Sequence, residues 1–482
     1  MKAAADQLNS AARAALFWRV HWWAALVATP FALLAALTGL LYVFTPQIEQ
    51  HLYGHMEQVA PVAQARPLDQ LVAAAQAAAP AGMELKQVVV PAANSDALKV
   101  IFAPSAGGSD PHAHHHGGQH GNGMGAGPAM PAAAPATGDA PAPAGVPVGA
   151  SGAKPLAAKR SGFGLPAGAL TVYVDPASGR ITGTLANDAR FSQWAKHLHS
   201  RLLQGEGWRW MIELGASWMM VMLLTGVALW WPAARWPRTG LRGRAFWREW
   251  HTFAGVALGI ISLVILATGL TWSKYAGEEV RALRDLTGQA PPQMPAGLHS
   301  QRQGEAMPLG WQAALDAARR IAPAASLQLT PPRNPHGIWR ISMADRSQPA
   351  LRFEAALDAY SGQPLYTSDW SQQTAFGKAT AIGIPFHRGE FGWWNQAVLL
   401  VFGVGVLFSL LSGWLMYFKR RKTGQLSLPR VPAQAWRALG AGWWLTLLGC
   451  LALMPTLALS APLVLLLDAL AGHNASRPVA SP

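Results

Sequence analysis

Four histidines stand at matched places in this sequence, and their type and spacing are the first features in it suited to chemistry. His21 is followed 17 residues later by Thr38-Gly39, and His251 is followed 17 residues later by Thr268-Gly269. Leu198-His199 precedes Gly205-Glu206-Gly207-Trp208, and Phe386-His387 precedes Gly389-Glu390 and Gly392-Trp393. Each of these leads into an apolar run that closes with Thr225-Gly226 or Ser412-Gly413. A neutral imidazole is a good axial ligand for haem iron, and two facing each other across a helical bundle make a six-coordinate site suited to electron transfer. A single histidine at a membrane border reads as a headgroup or helix-end hydrogen-bonding residue. Four in an internal repeat point instead to ligation, with one pair at each membrane face. His197, two residues from His199, is the alternative ligand there, but the repeat aligns His199 with His387.

Such histidines need long elements to hold them apart, and the composition supplies these. Of 482 residues, 51% are hydrophobic and only 13% charged, which favours a membrane protein over a soluble chain of several domains. Apolar runs near 20–44, 211–231, 252–272, 394–418 and 440–467 are each long enough to cross a hydrocarbon core of about 30 Å. Pro455 and Pro462 interrupt the last. The first run exceeds a usual signal-peptide core and lacks a small-x-small cleavage site, so it reads as a retained anchor.

The net charge of +14 is distributed as orientation rather than as a nucleic-acid footprint. Arg13 and Arg19 precede the first run. Arg235, Arg238, Arg242, Arg244 and Arg248 lie between the second and third, and Lys419, Arg420, Arg421 and Lys422 follow the fourth. All three clusters fall on one side, which the positive-inside rule makes cytoplasmic, together with the amino terminus. The segments 47–196 and 273–390 are then external. Trp22-Trp23, Trp230-Trp231, Trp393-Trp394 and Trp443-Trp444 mark the borders, where amphipathic rings anchor among headgroups. The lone Cys450 can build neither a disulfide nor a thiolate metal site within one chain.

The external segments repeat as well. Pro67-Leu68 and Pro308-Leu309 each open an Ala-rich helix, ending near Pro80 and Pro323. Strand patterns follow at 85–90, 97–103 and 170–174, and again at 326–330, 337–343 and 350–357. The two segments end alike, in Asp175-Pro-Ala-Ser178-Gly179 and Asp358-Ala-Tyr-Ser361-Gly362, each with glycine where a turn requires positive φ. The unit is helix, external α+β module, helix, used twice. An insertion at 104–168, rich in Gly, Ala and Pro, has too little apolar bulk to fold alone and reads as a flexible loop. Within it His112, His114, His115, His116 and His120, with Met124 and Met130 nearby, form a candidate site for a divalent metal such as Zn, Cu, Ni or ferrous iron, or an incidental His-rich spacer.

Taken together, His21 with Thr38-Gly39, Leu198-His199 with Gly205-Glu206-Gly207-Trp208, His251 with Thr268-Gly269, and His387-Arg-Gly-Glu390 before a helix ending Trp-Leu-Met-Tyr-Phe-Lys-Arg-Arg421 resemble the PepSY-associated transmembrane family across about residues 15–422. The strand ends at Tyr173 and Leu357 resemble PepSY modules themselves. The resemblance implies a helical membrane bundle of four core helices plus a fifth, with two periplasmic PepSY-like modules. It also implies two b-type haems held by His21, His251, His199 and His387, and electron transfer to periplasmic ferric iron of the ferric-siderophore reductase type.

On this plan the chain divides into a cytoplasmic amino terminus with the first span (1–46), module one (47–196), an interfacial segment with the second span (197–232) and a basic cytoplasmic loop (233–250). The third span (251–272), module two (273–390), the fourth span (391–418) and a basic carboxyl-terminal segment with the fifth span (419–482) complete it. The setting is a bacterial inner membrane. No nucleotide-binding fingerprint accompanies a strand and the cytoplasmic loops are too short for a flavin domain, so the donor is a quinol or a separate reductase. Glu206 and Glu390 read as charge complementing helix amino termini. The competing expectations are a haem-free, membrane-anchored PepSY module binding a peptide or partner protein, and a metal-uptake accessory or transporter. Against transport, the spans carry no mid-membrane charge.

Overall fold

The computed structural model describes residues 2–61, 63–105, 165–166, 168–231, 236–302, 304–421, 428, 431–432 and 435–474. Among the described residues, three helices are long and apolar enough to cross a membrane: α1 (Lys2–Val43), α5 (Trp210–Trp230) with the turn before it, and α11 (Trp393–Arg420). Two bent pairs raise the number to as many as five if each pair is one span. α1 continues through Pro30 and presents Ala24, Ala28 and Ala32, all buried, as a stripe at helical spacing. Such small residues let two backbones approach where lipid offers no hydrophobic driving force between helices. α5 lies against α1, with Phe31 seated over Gly215.

The third apolar run forms α6 (Gly243–Ala257) and α7 (Gly259–Leu270), bent by 56° at Leu258. The helix starts at Gly243, eight residues before His251, so the histidine sits inside a helix rather than at its end. The fifth run forms α12 (Ala441–Leu453) and α13 (Pro455–Asn474), bent by 116° where Pro455 removes a backbone donor. α13 lies along α5 and the start of α1. Trp218 Nε1 donates to Ser460 Oγ at 2.9 Å, and Asp468 accepts from Arg19 Nε and Trp23 Nε1, each at 2.5 Å.

α2 (Thr45–Glu57) carries the chain from α1 to the α+β region, and α8 (Ala276–Leu286) carries it from α7. The first half of that region is α3 (Leu68–Ala78), β1 (Met83–Val90), β2 (Leu98–Pro104), β3 (Leu170–Val174) and β4 (Ile181–Ala186). The second is α9 (Trp311–Ile321), β5 (Leu327–Thr330), β6 (Ile338–Met343), β7 (Glu354–Asp358) and β8 (Pro364–Ser368). The strand patterns anticipated from sequence are present, and each half adds a fourth strand after its Asp-turn-Gly. There the Asp175 and Asp358 carboxylates accept turn N–H groups, while Gly179 and Gly362 take φ of +74° and +68°.

The halves are joined into one eight-stranded sheet in the order β4-β3-β2-β1-β5-β6-β7-β8, antiparallel throughout. At the seam Val88 pairs with Leu329 and Val90 with Leu327. One core serves both halves: Val88, Val100, Phe102, Leu329, Ile341 and Leu357 pack with α3 and α9 in a single cluster. The helices also complete each other. Asp69 of α3 accepts from Trp311 N and Gln312 N at the start of α9, at 2.7 and 3.1 Å, and Gln312 Oε1 accepts from Leu68 N. Helix-capping hydrogen bonds of this kind are worth about 1 kcal/mol each.

The His-rich cluster 112–120 and the body of the insertion lie outside the described residues. Their flanks are close: β2 and β3 are hydrogen-bonded neighbours with Phe102 opposite Leu170. Deleting 108–150 shortens a connection whose closure entropy changes by only about 0.6 kcal/mol per doubling of length. The variant is expected to unfold within a few degrees of the parent and to lose only binding of free divalent metal, read by thermal melting and metal titration. A collapse in stability would show that the insertion contributes to the core.

Candidate functional site: two facing histidine pairs

α4 (Phe191–Arg201) and α10 (Ala375–Arg388) are short helices at the sheet side of the bundle, and they carry His199 and His387. α10 is capped by Thr374 and terminated by Gly389 at φ +76°. α4 ends instead in Leu202 and Leu203, both at positive φ, a conformation that costs about 1–3 kcal/mol per non-glycine residue and is tolerated where surrounding structure enforces it. His21 and His251 lie at the opposite end of the bundle, on α1 and α6.

Each imidazole rests in a cradle made by a hydroxyl residue and the glycine after it. His21 Nδ1 is 3.1 Å from Thr225 Oγ1, and His199 Nδ1 is 3.0 Å from Thr38 Oγ1. His387 Nδ1 is 3.0 Å from Thr268 Oγ1, while His251 Nδ1 lies 3.0 Å from Ser409 O and 3.1 Å from Ser412 Oγ. The following glycines are Gly226, Gly39, Gly269 and Gly413. A Cβ on any of them would fall 3.2–3.3 Å from the Cε1 of its histidine. Glycine is therefore what lets each ring lie directly on the neighbouring helix.

The cradles also fix where the protons sit. A hydroxyl has one proton to donate, and Thr38, Thr225 and Thr268 donate theirs to the carbonyls of Leu34, Val221 and Val264 at 2.6, 2.7 and 2.7 Å. Toward the histidine each Oγ1 then accepts, so Nδ1 carries the hydrogen. For His251 the Ser409 carbonyl can only accept, which gives the same tautomer. In all four rings the unprotonated nitrogen is Nε2, and among the described residues none of these Nε2 atoms has a hydrogen-bond partner. This is the arrangement in which a metal-binding histidine is held by an outer partner that fixes its tautomer and orientation.

The rings meet in pairs across the two halves of the bundle. His21 and His251 have ring centres 6.4 Å apart and planes at 89°. An ion held by an imidazole nitrogen at about 2 Å on either side lies between rings whose centres are about 6 Å apart, so this spacing fits one metal between two imidazoles. His199 and His387 are neighbours at the sheet side. Burial holds the pKa of each down to about 4, and for His199 the next cause is His387 itself. Both are therefore neutral at physiological pH and have a lone pair to offer. The 17 residues from His21 to Thr38, at about 1.5 Å each, set the two levels about 25 Å apart.

His197 is half-buried on α4 and touches no such cradle. Among the described residues no group of three or more His, Cys, Asp or Glu is placed to hold a metal ion, so what the bundle offers is two-imidazole ligation. Glu206 and Glu390 are ion-paired: Glu206 with Arg201 and Arg209, Glu390 with Arg388 at 2.9 Å. Thr225, Ser412 and the other cradle residues first stood out only as markers of the repeat. Their signal is the hydroxyl-glycine pair itself, which recurs four times, 17 residues after His21 and His251, 26 after His199 and 25 after His387.

Residues 18–420, which contain all four histidines and all four cradles, match the model of a protein family described as PepSY-associated TM region. None of the curated proteins matches the chain.

Proposed function

The chain belongs to the PepSY-associated TM region family, and from that premise we propose that it is a dihaem electron-transfer protein of a bacterial inner membrane. It passes electrons from a quinol or a separate reductase on the cytoplasmic side to ferric iron outside, in the manner of a ferric-siderophore reductase. The observation that carries this reading is the set of four imidazoles, paired at two levels, each with its proton locked on Nδ1 and its Nε2 free. His21 and His251 would hold one haem b, His199 and His387 the other. Bound haem supplies a one-electron iron couple within a layer that excludes ions. The chain's own part is to keep each imidazole neutral, oriented and shielded. Thr38, Thr225, Thr268 and Ser412 hold the Nδ1 proton, and the glycines set the depth of each ring.

With the helix-module-helix order used twice, each haem would take one ligand from the first half of the chain and one from the second. The basic residues at the His21 end, Arg13, Arg19, Arg242, Arg244, Arg248, Arg420 and Arg421 among them, orient that end to the cytoplasm. The eight-stranded sheet then lies in the periplasm beside His199 and His387, where a ferric complex is met. Each ferric ion takes one electron; a quinol yields two, releasing two protons.

The visible spectrum of detergent-purified protein from haem-replete cells tests this. Sharp b-type bands on reduction and recovery of about two haems per chain are expected. A colourless preparation would favour the haem-free reading, in which the sheet binds a peptide or partner and the helices only anchor it.

A further inference from the structure

Cations crowd the sheet-side histidine pair. Lys196 precedes His199 by three residues, Arg201 follows it by two, and Arg388 is next to His387. Arg209 joins Arg201 on Glu206, and Arg388 donates through Nε to Tyr42 Oη at 3.0 Å while pairing with Glu390. From the sheet, Arg346 in the loop after β6 approaches the same Arg388, Glu390 and Tyr42. Lys196, Arg201, Arg209, Arg346 and Arg388 thus gather around Glu206 and Glu390. Among the described residues Lys196 has neither a hydrogen bond nor an ion pair, and its neighbouring charges are Arg388, Arg201 and Arg209 against the single carboxylate of Glu206. Arg201 Nε is buried without a partner.

Like charges gathered side by side repel one another, and a donor buried without a partner is destabilising. Both penalties disappear if an oxyanion sits among them, since guanidinium and ammonium groups form their strongest hydrogen bonds with carboxylates. We propose that the exposed Lys196 and Arg346, with the half-buried Arg201 and Arg388, form a carboxylate-binding site at the mouth of the sheet-side histidine pair. It rests on the electron-transfer reading for its purpose. Two sources offer this chemistry: the carboxylates of a haem held by His199 and His387, and the carboxylates of an anionic ferric chelate arriving to be reduced. In the second case the site selects anionic ferric complexes over neutral ones.

The test uses Lys196→Gln, Arg346→Gln and the double variant in the full-length protein, with Lys196→Arg as the charge-keeping control. Haem release to an excess of apomyoglobin is measured, as is KM for ferric citrate and for a neutral ferric trihydroxamate. If the haem carboxylates are the ligand, the double variant releases one of its two haems about ten-fold faster or more. If the chelate is the ligand, haem release is unchanged and KM rises about ten-fold for ferric citrate alone, less in added salt. In either case Lys196→Arg restores most of the loss. Unchanged haem release with unchanged KM, or an equal rise for both chelates, overturns the proposal. Wild-type protein without haem fails the electron-transfer reading instead, and calorimetric titration of that protein with citrate then decides the anion site: binding that the double variant loses supports it, and no binding overturns it.

Discussion

In the His251→Ala variant, the haem content of the purified protein is expected to fall from about two per chain to about one, and His21→Ala is expected to lose the same one. The expectation follows from the 6.4 Å between these two ring centres and from the 17 helical residues that separate their level from that of His199. No imidazole from the other level can reach across about 25 Å to replace the missing ligand. Two residues that serve one site are strongly non-additive, whereas residues of separate sites add. The double variant His21→Ala/His251→Ala should therefore match either single variant, while His21→Ala/His387→Ala should lose both haems. On the proposed electron-transfer function the two sites would act in series, so every one of these lesions is expected to interrupt reduction of external ferric iron from the cytoplasmic side. Pyridine haemochromogen stoichiometry and reduced-minus-oxidised spectra read the result. Unchanged spectra with both haems present in His251→Ala and His387→Ala would remove the ligand assignment.

The second large effect is expected in the cradles, which touch no iron. Gly226→Leu introduces side-chain atoms where a Cβ alone already stands 3.3 Å from His21 Cε1, so the ring is driven off its position and the haem at that level is lost. Thr225→Val is gentler. It preserves shape but removes the hydroxyl 3.1 Å from His21 Nδ1, leaving the Met222 carbonyl as the remaining acceptor, and the loss of such an outer partner typically costs about 10–100-fold in metal affinity. Ser412→Ala should cost less than Thr225→Val, because the Ser409 carbonyl still accepts from His251 Nδ1 at 3.0 Å. Rates of haem transfer to apomyoglobin rank the three variants. Equal rates for Thr225→Val and wild type would mean that the hydroxyl does not hold the proton of its histidine.

Much of this arrangement could be read from residue order, and the exceptions have physical causes. The long helices announce themselves because lipid demands uninterrupted apolar length, and α11 at Trp393–Arg420 lies close to the run seen at 394–418. α6 begins earlier than the apolar run at 252–272, because its first turns, Gly243 to Trp250, carry arginines and tryptophans that suit an interface as well as a span. The strands β4 and β8 went unnoticed since Ile181–Ala186 and Pro364–Ser368 are edge strands with little buried surface, and so lack strong alternation. The histidines were legible from their repeat. Their partners were not, because a hydrogen bond between Thr38 and His199 spans 161 residues and depends on how α4 folds back over α1. The seam between β1 and β5 was equally hidden: each half reads as a complete module, and nothing in Val88–Val90 says which strand will lie beside it.

That seam bears on where such a chain comes from. A protein made of the first half alone would present β1 as a bare edge, a ready template for another strand, and would place a single imidazole at each of the two levels. Its neighbour of best fit would be a second copy of itself, related by a two-fold axis that satisfies the open strand and both half-built sites in one contact. Antiparallel pairing of β1 with β5, and histidine partners drawn one from each half, supply within one polypeptide the contacts that such a dimer would make between two. Within one chain the two halves need not be identical: Ser412 stands where the other half has Thr225, and Leu202-Leu203 end one short helix where Gly389 ends the other.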